Sequence, residues 1–328
     1  MSQPIRGRLV GWGARLVFAA LLLVFSEIIV WQTPTAYDPL DWLALALIYP
    51  ALAAITLDLV ARLNVRDIFS VLLLAGIYGL LDATLISHIT TSDLPLSLLV
   101  RPLGAQPLAF VGALAAFLLL ASGRPTGLRA FVIALGVGLA WGVWVRWFPV
   151  VSDVSIPEVA IGTALAVLGI GLAAGGLIAL ALLPGAVDHG AAWRLNTVEW
   201  VLAGGVLLAA LIVGAQQGHI SPPGIVIVAA LISFMGGVLY ITRLLRPEGS
   251  LLEPVTPPRR PNIAGWLVPL VPLLLAGWAG YSLPGSGDSS TQSDVLIGVL
   301  TGFALIWLPA VSIVTGMRAF VLLARQGG

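Results

Sequence analysis

Two carboxylates stand in otherwise apolar stretches of this 328-residue chain: Glu27 within Val-Phe-Ser-Glu-Ile-Ile-Val, and Asp82 within Gly-Leu-Leu-Asp-Ala-Thr-Leu. An acid so placed is rarely left facing hydrocarbon. It finds a partner, binds a cation, stays protonated or lines water. The groups able to work with these two are Arg146, Arg101, His88 and Tyr78. Tyr78 and Asp82 are four residues apart, so a helix puts them on one face together with Gly79. We expect an outward-facing polar pocket built from Glu27, Asp82 and Arg146, with His88 and Arg101 at its rim and Tyr78 on the same wall as Asp82. Such a pocket suits a small polar or cationic solute, or a coupling proton. The competing reading is a buried structural salt bridge between Arg146 and one of the acids. No catalytic residue is assigned.

Other chemistries are removed by composition. The chain has no cysteine, which excludes disulfides, thiolate catalysis, Cys-ligated zinc and iron–sulfur clusters. All 16 basic residues are Arg, so a lysine Schiff base and a P-loop lysine are excluded too. No HExxH, EF-hand, Walker or dinucleotide motif occurs. The three histidines, His88, His189 and His219, make no convincing pair of axial haem ligands. The expectation is therefore no metal and no cofactor.

The elements that must position these residues are membrane-spanning helices. The chain is 59% hydrophobic and 9% charged, with a mean hydropathy of +1.04, whereas a soluble domain carries about 45–50% apolar and about 25% charged residues. The composition excludes an ordinary soluble protein, a disordered chain and a nucleic-acid binder. It points to an all-α fold, a polytopic helical membrane bundle. A bilayer core of about 30 Å needs about 20 apolar residues per helix, and ten such stretches are legible, near 12–32, 40–62, 67–89, 104–122, 129–149, 157–183, 197–216, 223–245, 264–283 and 294–322. The first has a long apolar run that ends in Glu27–Trp31 rather than a small-residue cleavage site, so it reads as a retained helix. The connections are short, and residues 1–328 read as a single transmembrane domain with no soluble domain.

Charge sets the direction. With both termini cytoplasmic, fourteen of the sixteen arginines fall on the inner side and only Arg101 and Arg146 on the outer, while nine of the fifteen acids fall outside. The net +1 then divides into +8 inside and −7 outside, a strong positive-inside pattern. This implies a plasma (inner) membrane protein whose partners are membrane lipids, with membrane-protein subunits as a further class of partner and no nucleic acid. The inner loop around 246–263 is rich in proline, and its Arg259 and Arg260 are suited to anionic headgroups.

Most remaining charges have structural explanations. Asp38-Pro-Leu-Asp41, Asn64-Val-Arg-Asp67, Ser155-Ile-Pro-Glu158, Asn196-Thr-Val-Glu199 and Ser293-Asp294 open helices with cap residues or acids facing the positive end of the dipole. Asp58 and Arg62 form an i,i+4 ion pair. Gly138/Gly142, Gly171/Gly175 and Gly236–Gly237 read as packing faces. Pro50, Pro272 and Pro309 interrupt spans. Trp12, Trp31, Trp42, Trp144, Trp147, Trp193, Trp200 and Trp266 suit aromatic belts at the interfaces. The segments Leu72–Gly76 and Leu273–Gly277 both read LLLAG, an echo that a Leu/Ala/Gly-rich chain produces by chance.

Three functions fit these features. A secondary transporter or permease for a small polar or cationic solute uses the acidic pocket. A non-catalytic membrane subunit or scaffold of a larger complex needs no pocket beyond structural pairs. An enzyme acting on a lipid-linked substrate would use Asp38 and Asp41, but helix capping already accounts for both. The cysteine-free background permits a direct test of the topology. Asp288→Cys is expected to react with a membrane-impermeant maleimide from outside intact cells, and labelling only after the cytoplasm is opened would overturn the ten-span count.

Overall fold

A computed structural model describes residues 3–30, 38–87, 95–123, 127–151, 160–183, 193–218, 220–244, 249–256, 258–283 and 289–326. These residues are all-helical, with no strand among them, and ten helices are long and apolar enough to cross a membrane. In chain order the elements are α1 (Gln3–Leu23), a π-helical turn π1 (Val24–Val30), α2 (Pro39–Arg62), α3 (Ile68–Leu85), α4 (Leu96–Val100), π2 (Arg101–Ala105), α5 (Gln106–Ser122), α6 (Leu128–Val151), α7 (Ile161–Leu182), α8 (Thr197–Gln216), α9 (Pro222–Leu244), α10 (Ile263–Leu267), α11 (Leu270–Ser282) and α12 (Ser289–Gln326).

Several helix starts follow the cap residues in the sequence. Asp67 accepts from the amides of Phe69 and Ser70 at the head of α3. Asn196 and Glu199 form a reciprocal capping box at α8. At α2 the Asp41 carboxylate reaches back to the Asp38 amide, with Pro39 in the first helical position. The Ser155–Glu158 box lies outside the described residues. Ser293-Asp294 does not open the last helix, because α12 begins at Ser289; the polar run Ser-Ser-Thr-Gln-Ser is helical rather than loop. The fourth span starts at Leu96 rather than near 104. Arg101 and Pro102, which read as a break, are taken into the span as the wide turn π2. The ninth span is interrupted between α10 and α11 at Val268–Pro269, ahead of Pro272.

The chain divides into two compact units. The first comprises Met1–Trp42, Ala113–Ala191 and Pro257–Val299. Here α11 lies along α6, α1 packs on α7, and α7 also meets π1, α10 and α11. Small residues set these approaches: a Cβ at Gly138 would collide with the Leu273 backbone and one at Gly142 with the Gly277 carbonyl, while Gly171 and Gly175 receive Val24, Ile28 and Leu21. The second unit comprises Leu43–Gly112, Ala192–Thr256 and Leu300–Gly328, with α3 central and packed on α8, α9 and π2. Gly236 and Gly237 are not packing residues, because a Cβ on either meets nothing within 4 Å.

Each unit contains the same three-part arrangement. In the first, Gly277 lets the Trp141 ring approach, and the indole N–H of Trp141 donates to the Ile29 carbonyl in π1 at 3.1 Å. In the second, Gly76 receives the Trp307 ring, whose N–H donates to the Leu103 carbonyl in π2 at 2.8 Å. Both glycines end an LLLAG run. A wide turn disturbs the i→i−4 ladder and leaves carbonyls to be satisfied from elsewhere, and the tryptophans supply the donors.

Gly142→Ala is expected to force the α6–α11 backbones apart and to lower stability by about 1–3 kcal/mol, the range for overpacking a tight contact. Gly236→Ala should change stability by less than about 0.5 kcal/mol, as at sites without packing partners. Thermal unfolding of both variants in detergent checks this, and equal shifts would contradict the packing assignment.

Candidate functional site

The site forms around Asp82, in the last part of α3 within the second unit. Asp82 is fully buried, at 0% exposure. Its Oδ1 accepts from the Tyr49 hydroxyl at 3.1 Å and from the Tyr78 hydroxyl at 3.1 Å. Its Oδ2 accepts from Gln106 Nε2 at 2.5 Å. The expected pairing of Tyr78 with Asp82 on one helix face is present, and α2 and α5 complete it with Tyr49 and Gln106. An isolated buried carboxylate costs several kcal/mol to desolvate, and these three hydrogen bonds replace part of the lost hydration.

Local backbone irregularities bring these partners within reach. Gly79 lies three residues before Asp82, and a Cβ there would collide with the Pro102 carbonyl and come within 3.1 Å of Gln106 Cβ. Its bare Cα lets π2 close on α3, so that Gln106, the first residue after π2, reaches the carboxylate. Tyr49 immediately precedes Pro50 inside α2, where the proline removes one backbone donor from the ladder. Phe110 packs against the Tyr78 ring with centroids 5.1 Å apart.

Tyr49, Tyr78 and Gln106 can each both donate and accept. A tyrosine hydroxyl does either, and a glutamine amide presents NH2 on one side and a carbonyl on the other. A second buried acid, Asp58, is bonded differently. It takes Arg62 Nε at 2.5 Å, the Leu195 amide at 2.6 Å and Trp200 Nε1 at 3.0 Å. All of these groups only donate. The Arg62 Nη2 group also binds the Leu195 carbonyl at 2.6 Å, so this cluster ties the end of α2 to the head of α8. The i,i+4 pair expected from sequence is present, as part of that larger anchor. Asp58 is met by donors alone, whereas Tyr49, Tyr78 and Gln106 could hydrogen-bond Asp82 in either charge state.

The other expected site residues divide between the units. Glu27 lies in π1 of the first unit at 3% exposure, beside Ser26 at 0%. Arg146, in the same unit, directs Nη1 to the Tyr281 carbonyl at 3.0 Å and to the Leu283 carbonyl, capping the C-terminal end of α11. Arg101 belongs to the second unit as the first residue of π2. His88, like His189 and His219, lies outside the described residues. Among the described residues no three His, Asp or Glu side chains gather as a metal site.

Sequence reading missed Tyr49 and Gln106, although both are polar residues inside apolar spans and so carried the same signal as Asp82. Arg15, counted above among the inner-side charges, is buried at 1% exposure with its guanidinium 5.1 Å from the Trp12 ring centroid. Several tryptophans expected in interfacial belts also donate within the protein. Trp144 bonds the Val30 carbonyl, Trp193 the Thr256 hydroxyl, Trp200 Asp58, and Trp266 the Leu172 carbonyl.

Comparison with protein-family models, with curated proteins and with solved structures finds no match.

Tyr49→Phe and Tyr78→Phe each remove one hydrogen bond to a carboxylate and should each cost about 1–3 kcal/mol. Both hydroxyls serve the same Oδ1, so the double variant is expected to lose more than the sum. Unfolding of the two single variants and the double variant in detergent tests this. Strict additivity would contradict a shared oxygen.

Proposed function

We propose that this chain is a multi-pass membrane transporter, a permease for a small polar or cationic solute, with Asp82 as the residue that binds the solute or its coupling ion. The membrane reading is supported by the ten apolar helices and by apolar side chains turned outward on them. On α8, Val198, Val201, Leu202 and Leu208 are each more than half exposed. A soluble monomer rarely presents so continuous an apolar face, and hydrocarbon is its natural solvent. The arginine distribution supports cytoplasmic termini in a plasma (inner) membrane.

The observation that carries the transport reading is the character of three partners of Asp82. A carboxylate kept only for structure is best served by groups that only donate, as at Asp58. Tyr49, Tyr78 and Gln106 can rearrange when the carboxylate is neutralised by a proton or a cation. Two of the elements that supply them contain proline or follow a π-helical turn, so the local ladder has room to adjust. Glu27, buried within π1 of the first unit, is the second acid we assign to solute or proton binding, and Arg146, Arg101 and His88 are kept as candidates on their sequence positions alone.

Proteoliposomes test this with a named panel of solutes: methylammonium, choline, guanidinium and glycine betaine. At least one is expected to enter at a rate that falls at least tenfold in Asp82→Asn and is unchanged in Gly236→Ala. Uptake that survives both Asp82→Asn and Glu27→Gln would remove the site. No protein-dependent uptake of any panel member, together with a stoichiometric partner retained in mild detergent, would instead support a subunit of a larger membrane complex.

A further inference from the structure

Gln106 has one half of its amide committed and the other half free. Its Nε2 donates to Asp82 Oδ2 at 2.5 Å, while its Oε1 is buried and accepts no hydrogen bond. The whole side chain is 1% exposed. Buried amide oxygens are nearly always satisfied, so an orphan at this position calls for an explanation. The consequence is specific. With nothing bonded to Oε1, no group on the far side of the amide holds its orientation, and Asp82 alone decides which end faces it.

We propose that Asp82 takes up and releases a proton, and that the Gln106 amide turns over with it. This rests on Asp82 being the working acid of the proposed transporter and names the coupling ion as a proton. In the ionised state the carboxylate accepts from both tyrosines and from Gln106 Nε2, as observed. When a proton adds to Oδ2, that oxygen becomes a donor and confronts the NH2 group, donor against donor. Rotation of the amide by half a turn breaks the Nε2–H···Oδ2 bond and forms Oδ2–H···Oε1 in its place. One proton is gained, one hydrogen bond is exchanged for another, and no electron moves. The turned amide leaves its NH2 where Oε1 had been, so one unpaired polar group stands on that side in either state. The orphan oxygen is thus the acceptor reserved for the protonated acid.

Titratable groups facing Asp82 include the hydroxyls of Tyr49 from α2 and Tyr78 from α3 itself, both bonded to Oδ1. Arg101 stands at the head of π2, which packs against α3. The other elements against α3 hold their titratable groups elsewhere. Glu199 of α8 sits in its capping box, Arg318 of α12 lies 3.7 Å from Asp67, and Tyr240 and Arg243 of α9 are exposed. The tyrosines keep Oδ1 satisfied in both states, which directs the incoming proton to Oδ2, the oxygen that Gln106 reads.

The test uses the full chain in lipid nanodiscs, with side-chain 15N labelling of glutamine and infrared difference spectra taken across pH. The carbonyl stretch of a protonated acid is assigned to Asp82 by its loss in Asp82→Asn, or by its changed frequency in Asp82→Glu should the asparagine variant fail to fold. The Gln106 amide resonance is assigned by its loss in Gln106→Met. Both signals are expected to titrate with one midpoint, and the Gln106 shift should vanish in Asp82→Asn. An acid band that appears while the Gln106 resonance stays constant overturns the amide switch. No acid band at any pH where the protein remains folded overturns proton uptake altogether. Solute movement in proteoliposomes is scored separately. A titrating pair without transport leaves the switch standing and removes the transporter, and transport indifferent to a pH gradient with a silent Gln106 does the reverse.

Discussion

A polar group inside an apolar span must find its partner within the protein, and this constraint organises the molecule. Helices satisfy it for most of the backbone, and trouble arises where a ladder is disturbed or a helix ends. Indole N–H groups answer at π1 and π2, where Trp141 and Trp307 reach carbonyls over glycines that admit their rings. The Arg146 guanidinium answers at the end of α11. Asp67, Asn196 and Asp41 answer at helix starts. The Trp141 and Trp307 indoles are thus donors to backbone carbonyls inside the fold.

The same constraint separates the two acids of the second unit. Asp58 is surrounded by guanidinium, amide and indole donors and ties α2 to α8. Asp82 accepts from two hydroxyls and an amide that can reverse their polarity. Burial is complete in both cases, so burial alone does not separate the two. The donor and acceptor capacity of the partners does.

Much of this was legible in the residues. The ten apolar stretches, the caps at Asp67 and Asn196, the Asp58–Arg62 pair and the face shared by Tyr78 and Asp82 all follow from composition and helical spacing, which are local properties. What escaped is non-local. Nothing in the run Leu-Ile-Tyr-Pro-Ala-Leu tells that Tyr49 meets an acid 33 residues on, and Gln106 follows a proline that reads as a boundary until the wide turn π2 carries the helix through it. Glycine pairs looked alike in sequence, yet Gly138 and Gly142 admit a neighbouring backbone while Gly236 and Gly237 face open space. Only the neighbouring helix decides which glycine is a contact. The LLLAG runs, which look like a chance echo, end in the two glycines that receive tryptophan rings.

The account stands on Asp82 changing its protonation state inside a folded protein. The most direct measurement is potentiometric titration of purified wild-type protein against Asp82→Asn in weakly buffered detergent, over the pH range in which both stay folded. Wild type should bind about one more proton per chain across that range, as expected for one additional titrating group. Superimposable curves would show that Asp82 holds a single charge state throughout, and would reduce it to a structural acid like Asp58.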